Sequence, residues 1–381
     1  MRNERTGAGE GLMHEKSVKV RHYLAGGREF AGGIGRLVGY VVDAAGPDQA
    51  HRLSDTRGPR WSPARSLPRL GLALAAMLGD RIVAPGRIHH IHVAGRGSTI
   101  RKLILAGLAR AIGCTHVLHL HDNDYAADLA ARPPRQLARI RRMFQGADRV
   151  IVLGHRDRAT VVERLGVAPS RTLVLRNCVP DPGPAAPPDR PVPTILFLGT
   201  LGPRKGVPEL LEALASPAMT RLDWRAVLAG DGAVASYLRE AARLGLGERV
   251  SMPGWLGRAK ASALLAGADI LVLPSHAEGM AMAVIEGLAH GRAVVATRVG
   301  AHEEAIEHGA NGLFAPVGDA EALAATLARL VVDPALRVRL GAAARASYLE
   351  RFSMGAYVGR LGALYGSLAP APSGLLERKT T

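Results

Sequence analysis

Residues 268–287 read Ala268-Asp-Ile-Leu-Val-Leu-Pro274-Ser275-His276-Ala-Glu278-Gly279-Met280-Ala281-Met282-Ala-Val-Ile-Glu286-Gly287. A short apolar run stops at a proline, which has no N–H to offer a continuing sheet. A polar loop carrying Glu278 follows, and an apolar helix begins near Gly279–Ala283. Strand, loop and helix in that order predict a parallel sheet covered by helices. The alternation extends both ways. Thr194–Leu198, Arg225–Ala229, Arg249–Met252, Ile270–Leu273 and Ala293–Ala296 read as strands, separated by helical stretches such as Glu209–Leu214, Ser236–Leu244 and Ala283–His290. Upstream, His90–Val93, Thr115–Leu120 and Arg149–Leu153 read as strands. Between the first two, Ser98–Ile112 places Ile100, Leu103, Ile104, Leu108 and Ile112 at helical spacing.

The two series are separated at Pro180–Pro193, where seven of the 24 prolines fall. Proline fixes φ, so this stretch reads as a semi-rigid linker. The expected organisation is a disordered leader at 1–16, a first domain at 17–180, a linker at 181–193, a second domain at 194–351 and a flexible tail at 371–381. A helix at about 352–370 is expected to pack back on the first domain. Two such domains in tandem place a ligand in the cleft between them, outside the carboxyl ends of the strands.

The 381 residues carry 49 Lys+Arg against 33 Asp+Glu, a formal charge of +16. The excess is uneven: residues 1–180 hold 29 basic and 14 acidic side chains, and the remainder 20 and 19. The first half therefore faces something anionic or tolerates charge. Without interleaved aromatics or a recognition motif, nucleic acid is not the expected partner. A hydrophobic content of 48% excludes wholesale disorder. No apolar run reaches the roughly 18 residues that span a bilayer. Cys114 and Cys178 have neither disulfide-framework nor zinc spacing. The expectation is a soluble, reduced, cytoplasmic protein.

Three stretches carry chemistry. Ile195–Gly206 runs from a strand into a glycine-containing loop that ends in Arg204, Lys205 and a helix start. Two cations beside helix N–H groups suit a diphosphate. Glu278 precedes the next helix, whose N-terminus favours a neighbouring anion. Glu286 lies inside that helix among apolar residues, where a carboxylate is costly unless it is paired, for example with sugar hydroxyls.

These residues resemble the retaining nucleotide-sugar glycosyltransferases of family 4, whose GT-B fold sets two Rossmann-like, doubly wound parallel-sheet α/β domains across a cleft. Glu278 and Glu286 are similar to the Glu-x7-Glu signature, and Gly199–Gly206 to the donor-phosphate loop. Ala229-Gly-Asp-Gly232, His290–Gly300 and Asn311–Asp319 match the stretches around them, so the likeness is continuous from about 195 to 350. In the first half, Gly32-Gly33-Ile34-Gly35-Arg36 resembles the flexible glycine loop after the first strand. His121 falls where members place a histidine beside the donor sugar, and Asn177 matches the asparagine of the last loop.

The resemblance implies roles. Arg204 and Lys205 would hold the donor diphosphate, with Gly33 facing it across the cleft. Glu286 would bind the ribose. Glu278, with the N–H groups of Gly279, Met280, Ala281 and Met282, would bind the transferred sugar, and His121 would sit near the reacting centre. The reaction would be retaining and would need no metal and no cofactor beyond the nucleotide-sugar donor. The basic first half and the absence of a membrane-spanning run, rather than the resemblance, point to the expected acceptor: a lipid-linked saccharide in cell-surface polysaccharide or glycolipid synthesis. The basic half (Arg57, Arg60, Arg65, Arg69, Arg96, Arg101, Lys102 and Arg135–Arg142) would meet anionic lipid at the inner membrane face. Thr200 stands where arginine is common, Ala281 where glycine is common and Cys178 where glycine is usual. The first two departures keep open the alternative of a catalytically silent sugar-nucleotide-binding protein of the same fold.

Other features read more plainly. Asp122-Asn-Asp124 reads as a polar turn after a strand. His89, His90, His92, His119 and His121 have no carboxylate or cysteine at a known spacing, so no metal is expected. Strand alternation is expected to place His90 and His92 apart from His119 and His121. Trp255 reads as structural, and His276 as a contact to substrate or solvent.

Overall fold

The computed structural model describes residues 18–27, 32–122, 124–184 and 190–369. The expected leader and tail, and part of the expected linker, lie outside the described residues. Six strands form the first sheet: β1 (Val18–Leu24), β2 (Gln49–Asp55), β3 (Ile88–Val93), β4 (His116–Leu120), β5 (Arg149–Val152) and β6 (Thr172–Val174). Six more form the second: β7 (Thr194–Leu198), β8 (Arg225–Ala229), β9 (Val250–Gly254), β10 (Ile270–Leu273), β11 (Ala293–Thr297) and β12 (Leu313–Ala315). The sheet orders are β2-β1-β3-β4-β5-β6 and β12-β11-β10-β7-β8-β9, and all pairings are parallel. The chain reverses its direction of travel between β1 and β3, and again between β7 and β10. At such switch points the loops diverge and leave a crevice at the carboxyl ends of the strands.

The central strands of both sheets are buried along their whole length, as strands covered on both faces must be; β10 and β11 are almost wholly apolar, whereas β3 and β4 interleave histidines with apolar residues. Helices follow strands throughout, among them α1 (Gly32–Ala44), α2 (Pro63–Val83) and α3 (Gly97–Ala111). Aspartates at 124, 319 and 333 cap their helices by accepting backbone N–H bonds. The helix Met354–Leu368 packs against α1 and buries Tyr357, Leu361 and Tyr365. Arg360 donates to the Val174 carbonyl at 2.8 Å, which ties this helix to the end of the first sheet. Among the described residues no helix is long and apolar enough to cross a membrane.

One expected element changes. Gly32–Arg36 is not a loop but the first turn of α1. Its glycines sit at the helix entry, where Gly32 has φ +57° and Gly33 lies 3.6 Å, measured from the position of an added Cβ, from the Met282 side chain across the cleft. Arg36 has a partner that holds this turn in place, as described below.

Candidate active site in the interdomain cleft

A cleft of about 490 Å³ separates the two sheets. From the second domain, Leu198–Thr200, Arg204, Lys205 and the segment Glu278–Ala283 line it. The chain reaches this arrangement through two glycines with left-handed backbone. At Gly206 (φ +70°) an added Cβ would sit 2.0 Å from the Pro274 carbonyl, and at Gly300 (φ +56°) 2.0 Å from the Glu278 carbonyl. Only glycine lets these backbones touch. The loop after β7 is thereby pressed against the end of β10, and the loop after β11 supports Glu278.

Lys205 donates to Glu278, and Arg204 lies 3.4 Å from the same carboxylate oxygen. Arg204 also donates to the Ala277 carbonyl at 2.7 Å. Burial pulls the Glu278 carboxyl upward, but the charge and hydrogen bond of Lys205, with Arg204 beyond, outweigh it and hold the group below its ordinary value. Glu278 is therefore an ionised, acceptor-only group facing two cations. The helix Met282–Ala289 begins beside it, and its first two residues, Met282 and Ala283, line the cleft with N–H groups that have no intrahelical partner. Thr200, where arginine is common in the resembling family, donates to Asp231 at 2.7 Å, and both line the cleft.

The first domain supplies Gly33, Arg36, His121, Leu153 and Asn177. Asn177 donates to the Met280 carbonyl at 2.7 Å across the cleft. Nine of the ten site residues read from the sequence (His121, Glu278, Gly33, Arg204, Lys205, Gly279, Met280, Ala281 and Met282) line this one space. Glu286 does not. It lies behind Arg36, against a smaller cavity shared with Tyr40, Arg258 and His290. One Glu286 oxygen accepts from Arg36, and Oε2 is buried without a partner. Burial raises the Glu286 carboxyl above its ordinary value, with Arg36 and Arg258 opposing.

Sequence reasoning assigned no role to Arg36, although its spacing after the glycines could have flagged it. Trp255, read as structural, is instead 71% exposed and lines the cleft. A glycine-turn neighbourhood at the end of β9 was the available signal. His276 lies 2.8 Å from Glu209, outside the cleft lining. Asp122 accepts from the Gly95 N–H at 3.0 Å and Asp124 caps the next helix, so both support turns.

The histidines also differ from expectation. Register pairs His22 with His90 and His92 with His119, and in-register residues of a parallel sheet share a face. That face is apolar at the strands' starts (Val20, Ile88, Val117) and becomes a histidine layer toward the cleft. His51 Nδ1 lies 2.9 Å from His22 Nε2, His22 Nδ1 3.1 Å from His92 Nε2, and His92 Nδ1 2.9 Å from His121 Nε2. A second row runs from Tyr365 Oη to His90 Nδ1 (2.6 Å) and from His90 Nε2 to His119 Nδ1 (3.2 Å). Burial pushes His22 and His121 down to about 3, and His90, His92 and His119 well below the ordinary imidazole value. The layer is uncharged at neutral pH.

Residues 19–178 match the profile of the "Glycosyl transferase 4-like domain", and residues 192–333 that of "Glycosyl transferases group 1". The chain is a family 4-type glycosyltransferase. It is 33% identical to the lipopolysaccharide core biosynthesis glycosyltransferase LpsE of Rhizobium meliloti over 162 residues, covering 42% of this chain and 46% of that one. The match to the alpha-D-kanosaminyltransferase of Streptomyces kanamyceticus likewise spans 46% of that protein, so the chain matches about half the length of these relatives. A GDP-mannose-dependent alpha-(1-6)-phosphatidylinositol monomannoside mannosyltransferase of Mycobacterium tuberculosis is 26% identical over 82% of this chain and 89% of its own. The fold matches sucrose-phosphate synthase of Thermosynechococcus elongatus (TM-score 0.76, 19% identity, 92% and 99% coverage). It also matches HepE of Anabaena in complex with UDP (TM-score 0.71, 18% identity, 92% and 100% coverage). The two-domain GT-B architecture of this glycosyltransferase is thereby fixed.

Proposed function

We propose that this glycosyltransferase moves a sugar from a nucleotide diphosphate sugar to a saccharide acceptor with retention of configuration. The observation that carries the reading is the convergence of Arg204, Lys205, ionised Glu278 and a helix N-terminus on one cleft wall, with His121 on the other. The departing diphosphate gains negative charge as the glycosidic bond breaks. Arg204 and Lys205 neutralise it without a metal ion, and the start of the helix Met282–Ala289 adds backbone N–H donors on the same cleft wall. Such preorganised charge is usually the largest catalytic contribution. Glu278 accepts hydrogen bonds from hydroxyls of the transferred sugar, His121 faces the same sugar from the first domain, and Glu286 receives the ribose once Arg36 yields. The exposed ring of Trp255 lies at the cleft rim, where it can cover the base.

The acceptor side is read as lipid-linked, at an anionic membrane surface. α2 exposes Leu67, Leu72, Ile82 and Val83 to solvent, with Arg60 and Arg65 at its start. Lys102 leaves that basic set: it is fully buried in α3, donating to Thr56 at 2.8 Å. Anionic liposomes should sediment the protein and neutral ones should not, and equal binding to both would remove the membrane part.

The test of the site is thermal unfolding against UDP, GDP, ADP, TDP and CMP. A ligand at about 100 times its Kd adds roughly 2.7 kcal/mol to the folded state. UDP and GDP come first, since HepE is described in complex with UDP and the mycobacterial relative as GDP-mannose-dependent. A shift with one diphosphate that disappears in Lys205→Met supports the reading, and no shift with any of them refutes it. Consumption of the matching nucleotide sugar separates an enzyme from a silent binder.

A further inference from the structure

The histidine layer beside the cleft has more nitrogen than packing requires. One nitrogen from each of His92, His119 and His121 lies within 4.8 Å of the other two. His119 is fully buried and its Nδ1 is taken by His90, yet its Nε2 has no hydrogen-bond partner. An uncompensated buried nitrogen is costly, and it points to something that accepts a lone pair. The remaining nitrogens of His92 and His119 are already held by an outer shell. His92 Nε2 meets His22, which meets His51, and His119 Nδ1 meets His90, which meets Tyr365. Metal-binding histidines are oriented in this way, through a hydrogen bond from the nitrogen that does not bind.

We propose that His92, His119 and His121 form a site for one late first-row transition ion. His92 contributes Nδ1, and His119 and His121 contribute Nε2. Tetrahedral zinc with bonds of 2.0–2.1 Å sets its nitrogens about 3.3 Å apart. The His92–His121 pair at 2.9 Å therefore opens by only a few tenths of an ångström. No proton need leave: the N–H shared by that pair moves to the outer nitrogen of the same ring. Three imidazoles without a carboxylate select zinc, cobalt, nickel or copper over magnesium and calcium. His121 lines the cleft, so the fourth coordination position opens there, to water or to an oxygen of a bound molecule. The site uses neither Arg204 nor Lys205, so the diphosphate chemistry proposed above needs no ion, but it shares His121 with the sugar-facing role proposed there.

The experiment is titration of the purified, chelator-treated full chain with Co²⁺, read by visible absorption. The expected result is one Co²⁺ per chain with the intense bands of four-coordinate cobalt, displaced by Zn²⁺ and untouched by Mg²⁺. His119→Gln should weaken binding about 100-fold or more, beyond the 10–100-fold carried by outer-shell groups. His22→Asn, which touches only the outer shell, should stay inside that range. Zinc-edge X-ray absorption on the wild-type protein does not depend on any variant folding, and it should show imidazole scattering. Absence of stoichiometric Co²⁺ or Zn²⁺ binding, an oxygen-only shell, or binding that survives His119→Gln in a folded protein would each overturn the proposal.

Discussion

Replacing Arg36 with alanine tests the one ionic contact that joins a glycine-rich helix start to the buried carboxylate of the other domain. Glu286 keeps one oxygen on Arg36 and has none on Oε2. Removing one partner of a buried pair costs about 3–5 kcal/mol. Arg36 is 41% exposed, so water screens it and shares the load, and about 1–2 kcal/mol is expected at neutral pH. That corresponds to a fall in Tm of roughly 2–8 °C for a domain of this size. The loss depends on pH. Burial already holds the folded Glu286 carboxyl above its ordinary value of 4.5, so the folded state binds the proton more tightly than the unfolded chain. A group of this kind contributes less as pH rises through its folded value. Without Arg36 that value climbs further, so Arg36→Ala should be most destabilised near pH 8 and recover toward pH 5. Differential scanning calorimetry at both pH values, in the wild-type and Glu286→Gln backgrounds, measures it. An equal loss at both pH values, or an undiminished loss in Glu286→Gln, would refute the reasoning.

Three further outcomes follow from the same contacts. Lys205→Met removes the main counter-charge of Glu278 and should lower kcat/KM for the donor about 10²–10³-fold, and steady-state kinetics near wild-type values would contradict the phosphate role. Gly300→Ala forces a left-handed backbone and a Cβ against the Glu278 carbonyl, so it should cost about 1–3 kcal/mol in urea unfolding and abolish nucleotide-induced stabilisation. Lys102→Met replaces an ammonium whose pKa burial lowers far below its ordinary value. Because the unfolded chain holds that proton more tightly, stability rises with pH in the wild type, and the substitution should raise Tm at pH 7 and flatten this dependence.

The sequence carried the second domain well because its strands are short, apolar and bounded by proline or glycine. Thr194–Leu198, Arg225–Ala229 and Ile270–Leu273 appear with the bounds read from residues alone. The first domain was less legible. β2 is half-exposed and polar, Gln49-Ala-His-Arg-Leu-Ser-Asp55, so it lacks the apolar run that marks a strand. α2 contains Pro68 and apolar residues on its outer side, which hides its periodicity. The glycines before Arg36 suggested a loop, because local propensity cannot register a salt bridge to a residue 250 positions away. The histidine faces were misassigned for a similar reason. Alternation orders side chains along one strand, but register between strands, which brings His92 level with His119, is set by packing across the whole sheet. Glu286 was legible as an anomalous carboxylate, but its present partner was not.

Glu304 receives both the His155 amide and, at 2.6 Å, the Arg176 guanidinium, while Arg36 and Asn177 reach across the same gap to Glu286 and Met280. These four links form a latch. In the binding mode proposed above the ribose displaces Arg36 from Glu286, so at least one of these links must part as a nucleotide seats. Association measured by stopped flow should therefore level off at high nucleotide concentration, at the rate of spontaneous opening. Salt, which loosens exposed ion pairs, should raise that plateau even as it weakens the hold on the diphosphate.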